Sequence, residues 1–481
     1  MSKINIYIDK NSKESLYLQI YQCLKKQILS GDIKAGAKLP SIRQVAIKLD
    51  INQNTVIQSY NILEKKGLIK KISGKGCFVE QICEFEIEQK EIPLIESFKY
   101  GQNQIIERIN FSNGTPSSKY FPIEDYKMFF DEVIREYGGE IFQYQNVQGV
   151  DSLRYLLSEE FEKEDIFVKK ENIQITSGTQ QALDIVIKLF SKETKPIVVL
   201  SDPTYPNALN IFKGWCNIKS LDIKEDGWDL KEFEEILKEE KIDFVYECIN
   251  FQNPTGVTWS LEKREQLLQL AEKYGFYIVE DDSFSDFYYT ETKPKTLKSL
   301  DKLGQEKVIY VKTYSKILMP GIGLAIMTVP ENLMQRVLLI KYGLDTTTSG
   351  INQKILEKFI VKNKLHEHLS LLRKEFGKKQ KLCLKLLKKI QGLSVMHKPN
   401  GGFFIWVKLS DNIDGEKFYL KCKEEGVALL PGALFYKDKR DVCKIRLSFI
   451  SPTLLEIEKG LEILEKTLSL CKMENSKKCS Y

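Results

Sequence analysis

Apolar residues recur at every fourth position from Leu16 through Ile20 and Leu24 to Ile28, the spacing of a helix buried along one side. Ser30-Gly31 stops it, and the loop DIKAGAKLP leads to Ser41, near the start of a second helix, SIRQVAIKLD, with Val45, Ala46 and Leu49 inward. After a turn at Asp50-Ile51, Asn52 is placed to cap a third helix with Val56, Tyr60 and Leu63 on its apolar side, and Gly67 ends it. LIKKIS, a turn at Gly74-Lys75-Gly76, and CFVE then read as a two-stranded hairpin. Three short helices and a β-wing make a winged helix-turn-helix, whose third helix enters the major groove of double-stranded DNA.

Residues 81–107 alternate acidic and apolar positions without a clear period, and are longer than a loop inside one domain usually is. They predict a connector between a head at 1–80 and a larger domain at 108–475. From about residue 108 the pattern changes to short apolar runs separated by helical stretches such as SLEKREQLLQLAEKYG. IVVLSDP, FVYECINFQNPTG, FYIVEDDS and VIYVKTYSK each end in small or polar residues, the βαβ texture of a mostly parallel sheet. Chemistry is expected where such strands end.

Charge divides the chain the same way. Residues 1–80 hold 14 Lys/Arg against 6 Asp/Glu, while the whole chain is only +6, so a basic head is joined to a nearly neutral body. A basic head fits nucleic acid. Gln53, Asn54, Thr55 and Gln58 fall on the outer side of the third helix, where they reach base edges or phosphates. Ser41, Arg43, Lys70, Lys71 and Lys75 are placed to hold backbone phosphates. Ten scattered cysteines without a CxxC pair, and three histidines, argue against a zinc site or a disulfide framework and for a reducing cytoplasm. No metal site is expected. There is no uncharged apolar run of membrane-spanning length, and the polar N-terminus lacks the apolar core of a signal peptide, so no membrane association is expected.

The strand ends of the large domain carry Asp202, Asn253, Asp281 and, in TYSKILMPGIGLA, Lys316. A lysine amine can condense with an aldehyde, a buried aspartate can keep a pyridine nitrogen protonated, and an amide can bond a phenolic oxygen. Pyridoxal 5′-phosphate (PLP) requires that set. Upstream, TSGTQQALD puts Ser177, Gly178, Thr179 and Gln180 at a strand-to-helix turn whose amides and hydroxyls suit an anion.

Two families account for these pieces. Residues 17–79, with LPSIRQVA, NTVIQSY, LEKKGLI and GKGCFV, resemble the GntR family of bacterial regulators, although Gln53 stands where that family usually has arginine. NFSNGTP, YQNVQG, TSGTQQALD, DPTYPN, NFQNPTG, VEDDSF, TYSKILMPG, GGFFIW and IRLSF resemble the fold-type I, class I/II aminotransferases over most of residues 108–470. That resemblance implies Lys316 as the Schiff-base lysine, Asp281 on the pyridine nitrogen, Asn253 on the 3′-oxygen and Tyr205 stacked on the ring. It also implies Arg446 on a substrate or effector carboxylate, and Tyr144 reaching the phosphate of a neighbouring subunit's cofactor, hence a homodimer. Two departures stand out. Ser283 and Phe284 replace a tyrosine near the 3′-oxygen, and Gly323 takes the place of a phosphate-binding arginine. Ser315 and Lys312 are candidates to compensate.

The combination resembles the MocR type of regulator. It implies a DNA-binding transcriptional regulator whose aminotransferase-like domain senses PLP, or an amine or amino-acid effector, in a head-to-tail dimer in the bacterial cytoplasm. The alternatives are a working aminotransferase with a DNA-binding appendage, and a regulator whose large domain is a dimerisation scaffold without PLP.

Overall fold

The computed structural model describes residues 6–10, 12, 14–29, 33, 36–72, 76–80, 109–301, 306–410, 413–438 and 443–478. The helix stop at Ser30-Gly31, the wing tip with Lys75, and the connector at 81–107 lie outside these residues. The chain divides into two units, Met1–Pro93 and Leu94–Tyr481.

In the first unit, helices α1 (Leu16–Leu29), α2 (Ile42–Leu49) and α3 (Gln53–Lys65) precede an antiparallel pair, β1 (Ile69–Ile72) and β2 (Gly76–Val79). The four-residue spacing holds for Ile20, Leu24 and Ile28, which pack with Val45, Val56, Tyr60 and Leu63 in one core, while Leu16, the first residue of α1, is half-buried outside it. Tyr60 carries a hydroxyl into that core and satisfies it by donating to the Pro40 carbonyl at 2.8 Å. The turn between α2 and α3 is made by Asp50, left-handed at φ +50°, a conformation that a short polar side chain tolerates.

The second unit opens with β3 (Ile109–Asn110) and is built on a seven-stranded sheet. Its strands are β4 (Ile173–Thr176), β5 (Ile197–Asp202), β6 (Asn217–Asp222), β7 (Phe244–Glu247), β8 (Tyr277–Asp282), β9 (Val308–Thr313) and β10 (Ala325–Thr328). Their order is β4-β10-β9-β8-β7-β5-β6, and only β10 runs antiparallel to its neighbours. Apart from the edge strand β6, which is largely exposed, the strands are buried on both faces, which is why most of them read as apolar runs. Successive residues still point to opposite sides. Val279, Ile309 and Val311 join a core with the helices Thr179–Phe190 and Pro206–Trp215, while Ile278, Val308 and Tyr310 join the larger core on the other face.

A smaller antiparallel sheet runs β11-β12-β15-β14, with β11 at Leu393–Val395, β12 at Phe404–Leu409, β14 at Leu430–Pro431 and β15 at Lys444–Ser448. The short β3 pairs in parallel with β13 (Val427–Ala428), which brings the following residues, Ser112–Thr115, beside β15. Between the two sheets in sequence lies the helix Lys364–Leu387, which packs Leu365, Leu372, Phe376 and Cys383 into the core. Among the described residues no helix is long and apolar enough to cross a membrane.

Candidate functional site

The first unit presents its polar residues as a helix-turn-helix needs them. Ser41 caps α2: its Oγ accepts the Gln44 N–H at 3.3 Å, and the Gln44 Oε1 accepts the Ser41 N–H at 2.9 Å. The Ser41 hydroxyl is therefore engaged in positioning α2. Arg43 is exposed one residue into the helix. Asn52 caps α3 by accepting the Asn54 N–H at 2.9 Å. Gln53, Asn54 and Gln58 are exposed and Thr55 is half-buried. Asn54, Thr55 and Gln58 turn away from Val56 and Tyr60, whereas Gln53, three residues before Val56 and seven before Tyr60, shares their stripe and is exposed as the first residue of the helix. Lys70 is exposed on β1, whereas Lys71 is tied to Glu64 at 2.7 Å.

In the second unit a cavity of about 470 Å³ opens over the ends of β7, β8 and β9. Lys316 stands three residues beyond β9, at the foot of this cavity, and its Nζ bonds to no described residue. Burial and the nearby Arg446 charge lower its pKa to about 8, partly offset by Asp281. Asp281 lies on the same side of the sheet, buried, and both its oxygens are already bonded. Oδ1 accepts from Ser283 Oγ at 2.6 Å and Oδ2 from the Tyr246 hydroxyl at 2.8 Å. Burial still holds its pKa above the ordinary value, against the pull of those two donors.

Asn253 uses its Oδ1 to accept from Arg446 Nη1 at 3.0 Å, which leaves its Nδ2 without a described partner. Arg446, on β15, also donates from Nη2 to the Ser112 carbonyl. Its guanidinium lies 4.1 Å from the Phe404 ring centre and 5.1 Å from that of Phe435. Burial lowers its pKa to about 9, so it remains a cation at neutral pH. Its Nε is buried with no partner, a donor still to be used. Tyr205 accepts from Asn207 Nδ2 at 2.9 Å, and burial raises its pKa to about 12.

The opposite end of the cavity is an N–H cradle. Gly178 precedes the helix Thr179–Phe190 at φ +103°, and the first-turn N–H groups of Thr179 and Gln180 face no carbonyl of their own helix. Ser177 takes less part than the sequence implied. Its N–H is spent on Gln181 Oε1 at 2.8 Å, and its Oγ donates to Asp345 Oδ2 at 3.3 Å. Two residues on, Thr347 Oγ1 accepts the backbone N–H of Gln145 at 3.1 Å. Thr313, Ser315 and Gly323 line this end as well, and Gly323 is left-handed at φ +56°.

Two expectations change, those for Lys312 and Asp202. Lys312 brings no charge here: strand alternation turns it to the other face, where it pairs with Asp286 at 2.9 Å and Glu164 at 3.6 Å. Tyr144 is 81% exposed and does not line the cavity of its own chain. Asp202 accepts the Lys437 N–H at 2.9 Å and stands outside the cavity. Tyr246 was missed, although it shares the alternation of Asp281 on the neighbouring strand. Among the described residues lining the cavity, the cations are Lys316 and Arg446.

Comparison with known proteins accounts for both units. Residues 108–464 match the family described as aminotransferase class I and II, and residues 16–79 match the bacterial regulatory proteins of the gntR family. A 2-aminoadipate transaminase of Thermus thermophilus is 31% identical over 75% of this chain and 90% of its own length. YdfD, an HTH-type transcriptional regulator of Bacillus subtilis, is 27% identical over 94% of this chain and 96% of its own. NorG of Staphylococcus aureus, also an HTH-type transcriptional regulator, is 27% identical over 86% and 95%. Among solved structures, LysN of Thermus thermophilus in complex with N-(5′-phosphopyridoxyl)-L-leucine superposes with a TM-score of 0.72. It is 29% identical and covers 79% of this chain and 95% of its own.

Proposed function

This chain belongs to the class I and II aminotransferase family and carries a gntR-family head; from that premise we propose that it is a transcriptional regulator whose large unit senses PLP, or an amine or amino acid, at Lys316. The observation that carries the proposal is the pairing of a regulator-type head with a cavity that keeps the lysine, aspartate and amide of the family but has, among the described residues, no cation at its phosphate end. The family's cofactor is PLP. When bound it supplies an aldehyde that condenses reversibly with amines and a ring that withdraws electrons.

The residues present suit that cofactor. Asp281 is buried and aimed into the cavity, its carboxyl oxygens placed to accept a ring N–H. The free Nδ2 of Asn253 is a donor for a phenolic oxygen, and Tyr205 offers a flat wall. The cradle at Gly178, Thr179 and Gln180, with Thr313 and Ser315, offers neutral donors to a phosphate. Lys316 supplies the amine, and with a pKa near 8 a useful fraction is neutral and nucleophilic at physiological pH. The orphaned Nε of Arg446 and the free Nη hydrogens are placed for a carboxylate, which gives an amino-acid effector its orientation. Tyr144, exposed in one chain, is available to a second copy, consistent with a dimer whose pockets are completed across the interface.

A working aminotransferase is the second reading, favoured by the retained Lys316, Asp281 and Asn253. Phe284 weighs against it, because its ring packs on Phe403 and Phe404 and offers no donor at the position of the family's tyrosine. An effector shifts the protein only if it binds one arrangement of the dimer better than another.

Visible absorption with added PLP, compared with Lys316→Ala, tests the assignment. The expected result is a band that borohydride removes and that the variant lacks; colourless protein under saturating PLP defeats it. Footprinting on DNA upstream of its own gene, with and without PLP and candidate amines, then separates regulation from turnover. A footprint indifferent to every ligand, together with sustained transamination, favours the enzyme.

A further inference from the structure

Outside both sites, one helix face carries a single sign of charge. The chain beyond residue 80 is slightly negative overall, yet between residues 373 and 389 it holds eight basic residues and one acidic residue. The helix Lys364–Leu387 fixes where those charges point. Phe376, Cys383 and Leu387 face the core. On the opposite side Lys374, Lys378, Lys381, Lys385 and Lys388, the last at the helix C-cap, follow at intervals of four, three, four and three. That spacing keeps them in one stripe, and all five are exposed.

Their chemistry is unspent. Lys378 pairs with Glu375 at 2.7 Å, whereas Lys374, Lys381, Lys385 and Lys388 make no hydrogen bond or ion pair with a described residue. Lys385 and Lys388 gain from the helix dipole at a C-terminus. Lys374, Lys378 and Lys381 lie further back, where that gain has faded and like charges a turn apart repel. A solvated helix face usually interleaves signs, as i,i+4 pairing favours. From Lys374 to Lys388 the stripe is about 21 Å long at 1.5 Å per residue. Along one DNA strand a phosphate falls every 3.4 Å or so of axis, so the stripe matches roughly six of them.

We propose that this face of the large unit is a second DNA contact, binding the phosphate backbone of duplex beyond the base pairs read by the head, without regard to sequence. The proposal rests on the head binding DNA. Ammonium groups on flexible stems suit it, because a contact that need not hold one register requires charge more than fixed geometry.

The test uses the full chain carrying Lys374→Gln, Lys381→Gln, Lys385→Gln and Lys388→Gln together, substitutions that keep helix propensity. Binding to a 60-base-pair mixed-sequence duplex is followed by fluorescence anisotropy across a KCl series. The slope of log affinity against log salt should fall by about three or more, at ~0.9 for each phosphate that the variant no longer neutralises, with melting temperature and PLP binding unchanged. An unchanged slope overturns the proposal. So does capture by phosphatidylserine vesicles that the variant loses while its DNA slope stays put, since the face then reads an acidic membrane. Arg43→Ala, measured alongside, separates the two readings. If Arg43→Ala weakens binding and the lysine variant does not, the stripe fails and the head stands. A wild-type chain that binds no duplex overturns both.

Discussion

An arginine at Gly323 would put back the one charge that the phosphate end of the cavity lacks. Space is available, since a Cβ built on Gly323 meets nothing within 4 Å. The backbone is the cost. Gly323 sits at φ +56° and ψ +47°, and an L-residue there pays roughly 1–2 kcal/mol. Against this, a hydrogen bond to a charged group contributes about 1.5–3 kcal/mol, and a guanidinium can make two to one phosphate. That strain is present with and without PLP, so it lowers the stability of the fold and not the affinity. A gain of about 1.5–3 kcal/mol, at ~1.4 kcal/mol per decade, means that Gly323→Arg should tighten PLP by about tenfold to a hundredfold. Titration by visible absorption, with pyridoxal as the unphosphorylated control, reads the effect. Pyridoxal affinity should be unchanged, and the gain for PLP should shrink with KCl as a charge pair does. If PLP is not tightened, or if pyridoxal gains equally, the claim that neutral donors alone hold this end is wrong.

Two further outcomes follow from the same cavity. Covalent capture needs the neutral amine of Lys316, so the rate of PLP incorporation should rise about tenfold per pH unit below pH 8 and level off above it, whereas an ordinary lysine would keep accelerating to about 10.5; stopped-flow absorbance across pH 6–10 shows which. Arg446→Gln removes the cation but keeps an amide at that depth. It should leave the PLP band in place while the spectral response to an amino acid needs at least tenfold more ligand, and a response equal to wild type would remove Arg446 from effector binding.

Much of this was legible because each signal is local. The four-residue rhythm of α1 and the caps at Ser41 and Asn52 need only neighbours in sequence to act, and the structure has them where the spacing put them. Lys316, Asp281 and Asn253 were readable as strand-end chemistry, because each follows or closes an apolar run on the same edge of one sheet. What escaped was facing and competition. Lys312 looked available until strand parity sent it to Asp286. Ser177 looked like a phosphate donor until Gln181 and Asp345, the latter 168 residues away, claimed its groups. Tyr246 is an apolar-run residue like its neighbours, and only the pairing of β7 with β8 shows that its hydroxyl ends on Asp281.

The short stretch from Asp345 to Thr347 has a mechanical meaning. One end grips Ser177 at the cradle, and the other grips the backbone of Gln145, the residue after the exposed Tyr144. Two residues of chain have little slack, so a movement of the cradle that keeps both bonds carries the Tyr144 segment with it, while Gln181 and Lys341, which also hold Asp345, resist that movement. Any coupling between occupancy of the pocket and a surface resting on Tyr144, measured as a change in affinity, has to be equal in both directions.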